Sequence, residues 1–268
     1  MRQFSLKCGN VYDERFFAIQ VADSLRSARA IARIACQLFE PTSVVDVGCG
    51  QGAWLAAFAE LGLTQLRGID GDYVNGDKLL FDRADFTAAD LRGTFEIPGR
   101  YDLAICVEVA EHLPGSCSRQ LVHAVTQASP VVLFSAAVPG QGGSGHINEQ
   151  WPSYWRSLFA AEGFRMFDPI RPRIREENAI CWWYRQNLVV FASREAISRH
   201  SRLGEEVAGD DIEWVHISLV RRKHNLRSSL LRVPGAMWAW SRIKPWVRSH
   251  MTSPDSPIAC GNAVDDSL

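Results

Sequence analysis

The chain carries no CxxC pair, no strong charge of either sign and no apolar run near the roughly 20 residues that span a bilayer. Each absence removes a class. The seven cysteines (8, 36, 49, 106, 117, 181 and 260) are scattered and odd in number, which argues against a disulfide framework or a cysteine zinc site and suits a reducing cytoplasm. A formal net charge of −1 gives no global pull toward nucleic acid or an acidic membrane. The opening "MRQFSLKCGNVYDERFF" has no long apolar segment behind its basic residue, so a signal peptide is not expected. No internal repeat is present. The expectation is a soluble cytoplasmic protein whose 268 residues, 47% of them hydrophobic, bury one sizeable core with a smaller appended region.

What is there alternates. "QVADSLRSARAIARIACQLF" (20–39) spaces its apolar residues at three and four, the pattern of an amphipathic helix, and Pro41 stops it. "SVVDVG" is too apolar to alternate and suits a strand buried on both faces. "AWLAAFAELG" reads as a helix closed near Gly62. Strands are expected at "QLRGID", "DFTAADL", "YDLAICVEV" and "PVVLFSAAV", with helices at "LVHAVTQA" and "EQWPSYWRSLFAAEGF". "CWWYRQNLVVFAS" (181–193) is the last long strand candidate, and "FRMFDPIRPRI" a shorter partner. This rhythm indicates βαβ units and a doubly wound α/β sheet.

The chemistry gathers at the strand ends, where ligands of such sheets bind. In "SVVDVGCGQGAWL" (43–55), Gly48, Gly50 and Gly52 let a ligand approach the backbone just before a helix. Asp70 ends the second strand, placed to accept hydrogen bonds from ribose hydroxyls. A nicotinamide fold wants G-x-G-x-x-G around a pyrophosphate. Here the spacing is G-x-G-x-G, and Asp46 lies two residues before the first glycine, where it would repel a pyrophosphate. A cationic, phosphate-free cofactor such as S-adenosylmethionine fits instead.

"VVDVGCGQG" resembles the first motif of the class I S-adenosylmethionine-dependent methyltransferases, "GID" the second, "AADL" the third and "YDLAICVEVAEHLP" the fourth. The resemblance spans roughly residues 40–170. It implies a Rossmann-like, seven-stranded, mostly parallel sheet of order 3-2-1-4-5-7-6, whose antiparallel last strand would come from 181–193. It also implies that Gly48, Cys49 and Gly50 line the methionine end, with Asp46 holding it through nearby backbone or water. Asp70 and Gly71 would then meet the ribose, Asp90 and Leu91 the adenine, while Val107 and Glu108 close the site. With the change of composition after about residue 195, the expected division is a helical segment over the cofactor site (1–40), the cofactor-binding domain (41–195), a basic extension (196–250) and a disordered tail (251–268).

The acceptor is less legible. His146, in the glycine-rich "PGQGGSGHINEQWPSYW", is the first candidate for a general base, because imidazole titrates near neutral pH, and His112 the second. Alternatively, Glu108, Glu111, His112 and His146 resemble the metal site of small-RNA 2′-O-methyltransferases, where a divalent ion polarises a ribose hydroxyl. In metal-free relatives the same E-x-x-E-H starts a helix, with Glu111 in its first turn. Trp151, Tyr154, Trp155, Trp182 and Trp183 could wall a planar acceptor, although core packing explains most such residues. An Asn-Pro-Pro-aromatic signature of planar-amine methylation is absent, with "EVAE" in its place. The expectation is methylation of a small molecule, at a hydroxyl oxygen of a natural-product, quinone or glycan-type substrate, with nucleic acid as the lesser partner. A cofactor-binding protein without turnover is the rival from a different class. Between residues 215 and 250 the chain holds eight Lys or Arg, no acid, and Trp238, Trp240 and Trp246, a pattern compatible with peripheral membrane contact.

Overall fold

The computed structural model describes residues 14–207, with side chains from residue 21 onward. The chain divides into two compact units, Met1–Trp214 and Val215–Leu268. The second, with the basic stretch and the tail, lies outside the described residues.

Along the first unit run α1 (Glu14–Phe39), β1 (Ser43–Val47), α2 (Ala53–Ala59), β2 (Gln65–Asp70), β3 (Phe86–Ala88), β4 (Leu103–Val107) and α3 (Ser118–Ala128). Then follow β5 (Val131–Ser135), α4 (Pro152–Ala161), β6 (Phe164–Phe167), α5 (Arg171–Ile174), α6 (Trp182–Asn187), β7 (Val189–Ser193) and α7 (Arg194–Arg199). The seven strands form one sheet in the order β3-β2-β1-β4-β5-β7-β6, as expected. All pairings are parallel except those of β7, which runs antiparallel to both β5 and β6.

The apolar runs make this possible. In β1, β4 and β5 every residue is buried, and successive side chains alternate between two cores. Val44, Leu103, Ile105, Val131, Leu133 and Val190 join the cluster that holds α1 and α2. Val45, Ala104, Cys106, Val132, Phe134 and Phe191 join the cluster on the other face, with α3 and α4. Each fully buried large aliphatic stabilises the fold by about 1.5–3 kcal/mol. Asp102 adds a polar tie at the start of β4: its Oδ2 accepts from Thr42 N (2.8 Å), Thr42 Oγ1 (2.6 Å) and Ser43 N (3.1 Å) at the start of β1.

Two expectations need correction. Residues 181–193 are not one strand: Trp182–Asn187 is a helix, and only Val189–Ser193 enters the sheet. Gln186 and Asn187 turn inward to bury their amides in a polar cluster, and Tyr184 packs edge-on against Trp54, contacts that an extended segment could not make together. Nor does "EVAEHLP" open an α-helix. Ala110–His112 is a single 3₁₀ turn, after which Leu113 is extended before Pro114 and α3 begins only at Ser118.

Candidate active site

The C-terminal ends of β1, β2, β3 and β4 converge on one cleft of about 880 Å³. After β1 the backbone enters the left-handed region at Gly48, Gly50 and Gly52 (φ 80°, 53° and 83°). At Gly48 a Cβ would lie 2.3 Å from a methyl of Val109, a buried residue that lines the cleft after β4. Amides of the loop point back into the protein, Gly48 N to Ile69 O at 2.7 Å and Gly50 N to Asp70 Oδ2 at 2.7 Å. The glycine loop is therefore fixed by the end of β2 before any ligand arrives.

Asp70 is 4% exposed and lines the cleft; its Oδ1 accepts from Gly71 N at 2.7 Å and from the Tyr73 hydroxyl. Asp46 lies behind it, inside β1 and 2% exposed, with Oδ2 lacking any hydrogen-bond partner. Burial, and then the neighbouring Asp70 charge, push the Asp46 carboxyl well above the usual carboxylate range. Of the sequence-derived cofactor set, Gly48, Asp70, Gly71, Asp90, Leu91 and Glu108 line the cleft. Asp46, Cys49, Gly50 and Val107 do not line it: Cys49 and Val107 are core residues, Gly50 N donates to Asp70, and Asp46 is buried within β1. The Asp90 carboxylate is paired with Arg92, Nε to Oδ1 at 2.9 Å, which holds it below the usual range.

At the far end of the cleft stands Glu108, a non-glycine residue in the left-handed region (φ 54°). Such a conformation costs about 1 kcal/mol or more and persists where surroundings enforce it. Here its amide is fixed to Ser135 O at 3.0 Å and its Oε1 accepts from Asn187 Nδ2 at 3.1 Å. Asn187 belongs to the buried cluster with Gln141 and Gln186, so the glycine-rich loop, α6 and Glu108 are tied together. Glu111 is wholly buried, and neither carboxyl oxygen has a geometric hydrogen-bond partner. Burial, reinforced by the Glu108 charge beside it, drives its carboxyl far upward.

His112 lines the cleft, and His146 sits one ring further back, edge-on with centroids 4.9 Å apart. The loop reaches this position because Ile147 N and Asn148 N both donate to Glu111 O, at 2.9 and 3.0 Å. Burial, then the nearby His146, lower the pKa of His112, so its neutral form is favoured. His146 Nδ1 lies 3.1 Å from Glu149 Oε1. Glu149 also receives Gly140 N at 2.6 Å and Gly142 N at 2.7 Å. Burial pushes its carboxyl up, and these three donors more than offset that, leaving it below the usual range. An ionised Glu149 only accepts, so it fixes the proton of His146 on Nδ1. Glu111, His112 and His146 bring one ligand atom each within 4.8 Å of one another; Glu108 is not in that group.

A family model described as a methyltransferase domain matches residues 18–173, more than half of the 268-residue chain. The chain belongs to this methyltransferase family. It is S-adenosylmethionine-dependent, and its cleft brings together Gly48 of the glycine loop and the buried Asp70. Among solved structures, the pyocyanin biosynthetic protein PhzM is 16% identical with a TM-score of 0.51, covering 70% of this methyltransferase and 59% of PhzM. DesVI from Streptomyces venezuelae is 15% identical with a TM-score of 0.50, covering 71% of this chain and 100% of DesVI. At such identities the likeness shows the fold. The methyltransferase spans only 58% of LaPhzM and 59% of PhzM, which are longer chains. No curated protein sequence matches it.

Several residues of the site carry no signal in a single sequence. Val109, Gln141 and Asn187 act through contacts distant along the chain, whereas Tyr73, three residues after Asp70, and Glu149, three residues after His146, could have been noticed by spacing alone. Of the five aromatics considered as an acceptor wall, none lines the cleft. Trp155 is core, 2% exposed and packed against Phe134.

Proposed function

We propose that this methyltransferase transfers the methyl group to a hydroxyl oxygen of a small molecule, with the histidine pair as the proton acceptor. The observation that carries this is the placement of His112 in the wall of the cleft that contains Gly48 and Asp70, backed by His146 and its Glu149 partner. The cofactor supplies an electrophilic methyl on a sulfonium. With the cofactor bound, the imidazole would take the proton of the acceptor hydroxyl as its oxygen takes up that methyl, the sulfonium's bonding pair staying on sulfur. A hydroxyl needs such a base; a carboxylate acceptor would not. Burial, which keeps His112 neutral, suits it to that role. Ionised Glu149 then stabilises the positive charge left on the pair.

Asp70 is assigned the ribose, Asp90 and Leu91 the adenine side, Gly48 the methionine end and Glu108 the closing of the site, as the motif resemblance implies; all five line the cleft. The test is single-turnover methyl transfer by His112→Gln and His146→Gln. Rates are expected to fall about 10²–10⁴-fold, while affinity for S-adenosylhomocysteine stays within about threefold. Unchanged rates in both variants would exclude the histidines. Binding without any turnover in the wild type would favour the non-catalytic reading. The proposed location is cytoplasmic; among the described residues no helix is long and apolar enough to cross a membrane.

A second reading has its own observation. Glu111 presents a buried carboxyl whose ligand oxygen lies with His112 and His146 within 4.8 Å of one another, and one carboxylate with two imidazoles fits a divalent transition metal. Those three residues would hold the ion, which would polarise the acceptor hydroxyl. Activity lost in chelator and restored by Mn²⁺ or Co²⁺ supports this reading; full activity in chelator rejects it. RNA as the acceptor has no separate support in the described residues.

A further inference from the structure

Asp70 is assigned two ribose hydroxyls, yet most of its acceptor capacity is already in use. A carboxylate offers about four lone-pair sites, two on each oxygen. Oδ2 accepts from Gly50 N, which leaves it one site. Oδ1 accepts from Gly71 N and from the Tyr73 hydroxyl, which leaves it none. One ribose hydroxyl therefore finds an open place, and the second does not.

The two backbone donors belong to the glycine loop and the end of β2 and cannot leave without unmaking the site. Tyr73 can. It is 80% exposed, sits in the loop after β2 and lines the cleft with its phenol turned inward. Its ring lies against Gly71, where a Cβ would meet ring carbon Cε1 at 2.1 Å. The seat of the ring thus depends on the missing side chain at Gly71. The other acid of the cleft is held differently: Asp90 and Arg92 are both more than half exposed, and such a pair opens at little cost in water.

We propose that Tyr73 is a latch on the ribose subsite, its hydroxyl standing in for a ribose hydroxyl on Asp70 until the cofactor displaces it. This rests on the assignment of Asp70 to the ribose. The exchange keeps the buried carboxylate satisfied in both states. It also lowers apparent affinity for cofactor and product by the fraction of molecules with the latch closed, which favours release of the demethylated cofactor after each turnover.

The probe is S-adenosylhomocysteine, titrated by calorimetry into the full chain and two variants. Tyr73→Phe keeps the ring and removes the hydroxyl, and is expected to bind about three- to tenfold more tightly. Equal or weaker binding overturns the latch. Asp70→Asn is expected to weaken binding by about tenfold or more. If Asp70→Asn binds as wild type, the ribose assignment itself falls; if it weakens binding while Tyr73→Phe does not tighten it, only the latch falls. As a second readout, the fluorine resonance of 3-fluorotyrosine placed at position 73 is expected to shift on saturation with S-adenosylhomocysteine, as the hydroxyl leaves Asp70. A resonance that stays in place overturns the proposal.

Discussion

Replacing the three loop glycines one at a time by alanine separates backbone strain from steric crowding. All three have positive φ, so each alanine incurs the left-handed penalty of about 1 kcal/mol. Their surroundings differ. At Gly50 nothing lies within 4 Å of the new Cβ, so strain is the whole effect. At Gly52 the new methyl meets the Phe81 ring at 2.1 Å, but that side chain is only partly buried and can turn away. At Gly48 both methyls of Val109 stand at 2.3 and 2.7 Å and its Cβ at 3.1 Å. Rotating Val109 about χ1 leaves its Cβ in place, and Val109 is 8% exposed in the core, so the backbone must shift. Overpacking of this kind costs about 1–3 kcal/mol, which brings Gly48→Ala to about 2–4 kcal/mol. Urea unfolding should therefore rank the losses Gly48 > Gly52 > Gly50, and Gly48→Ala should also weaken S-adenosylhomocysteine most. Equal losses for Gly48→Ala and Gly50→Ala, within about 0.5 kcal/mol, would refute the steric reasoning.

Glu149→Gln should reduce stability by about 1–2 kcal/mol at neutral pH, since Glu149 is largely buried with three donors. Its folded pKa is depressed, so the gap to wild type should be complete above the unfolded value of about 4.3 and vanish as pH falls through the folded value; a gap independent of pH would contradict this. Asp102→Ala should cost about 1–2 kcal/mol in urea unfolding without altering cofactor affinity, because it unties the starts of β1 and β4 at the end of the sheet away from the cleft. A change in affinity comparable with the Asp70→Asn effect would show that this end of the sheet is not independent of the site.

Much of the fold is legible because burial on both faces of a parallel sheet leaves a plain mark: "SVVDV", "LAICV" and "VVLFS" are apolar throughout. The glycine spacing and the acid at the end of β2 are local features and equally legible, whereas nothing local tells that Asp46, Cys49, Gly50 and Val107 stand outside the cleft. The α6 segment was not. Tryptophan and tyrosine favour strands on propensity, and only burial of Gln186 and Asn187 against Gln141, 45 or more residues away, selects the helix. Similarly, "EVAEH" carries helix-forming residues, yet Pro114 ends the turn after His112. Glu149 and Tyr73 each act on a residue three positions away, His146 and Asp70, but inside irregular loops where no helix or strand period marks the pairing.

Transfer of label from methyl-labelled S-adenosylmethionine, followed in parallel into small-molecule and RNA fractions of a cell extract, tests the central claim most directly. The account expects label in small molecules bearing hydroxyl groups, sensitive to His112→Gln, His146→Gln and Asp70→Asn. Label confined to RNA, or small-molecule labelling indifferent to all three substitutions, would contradict it.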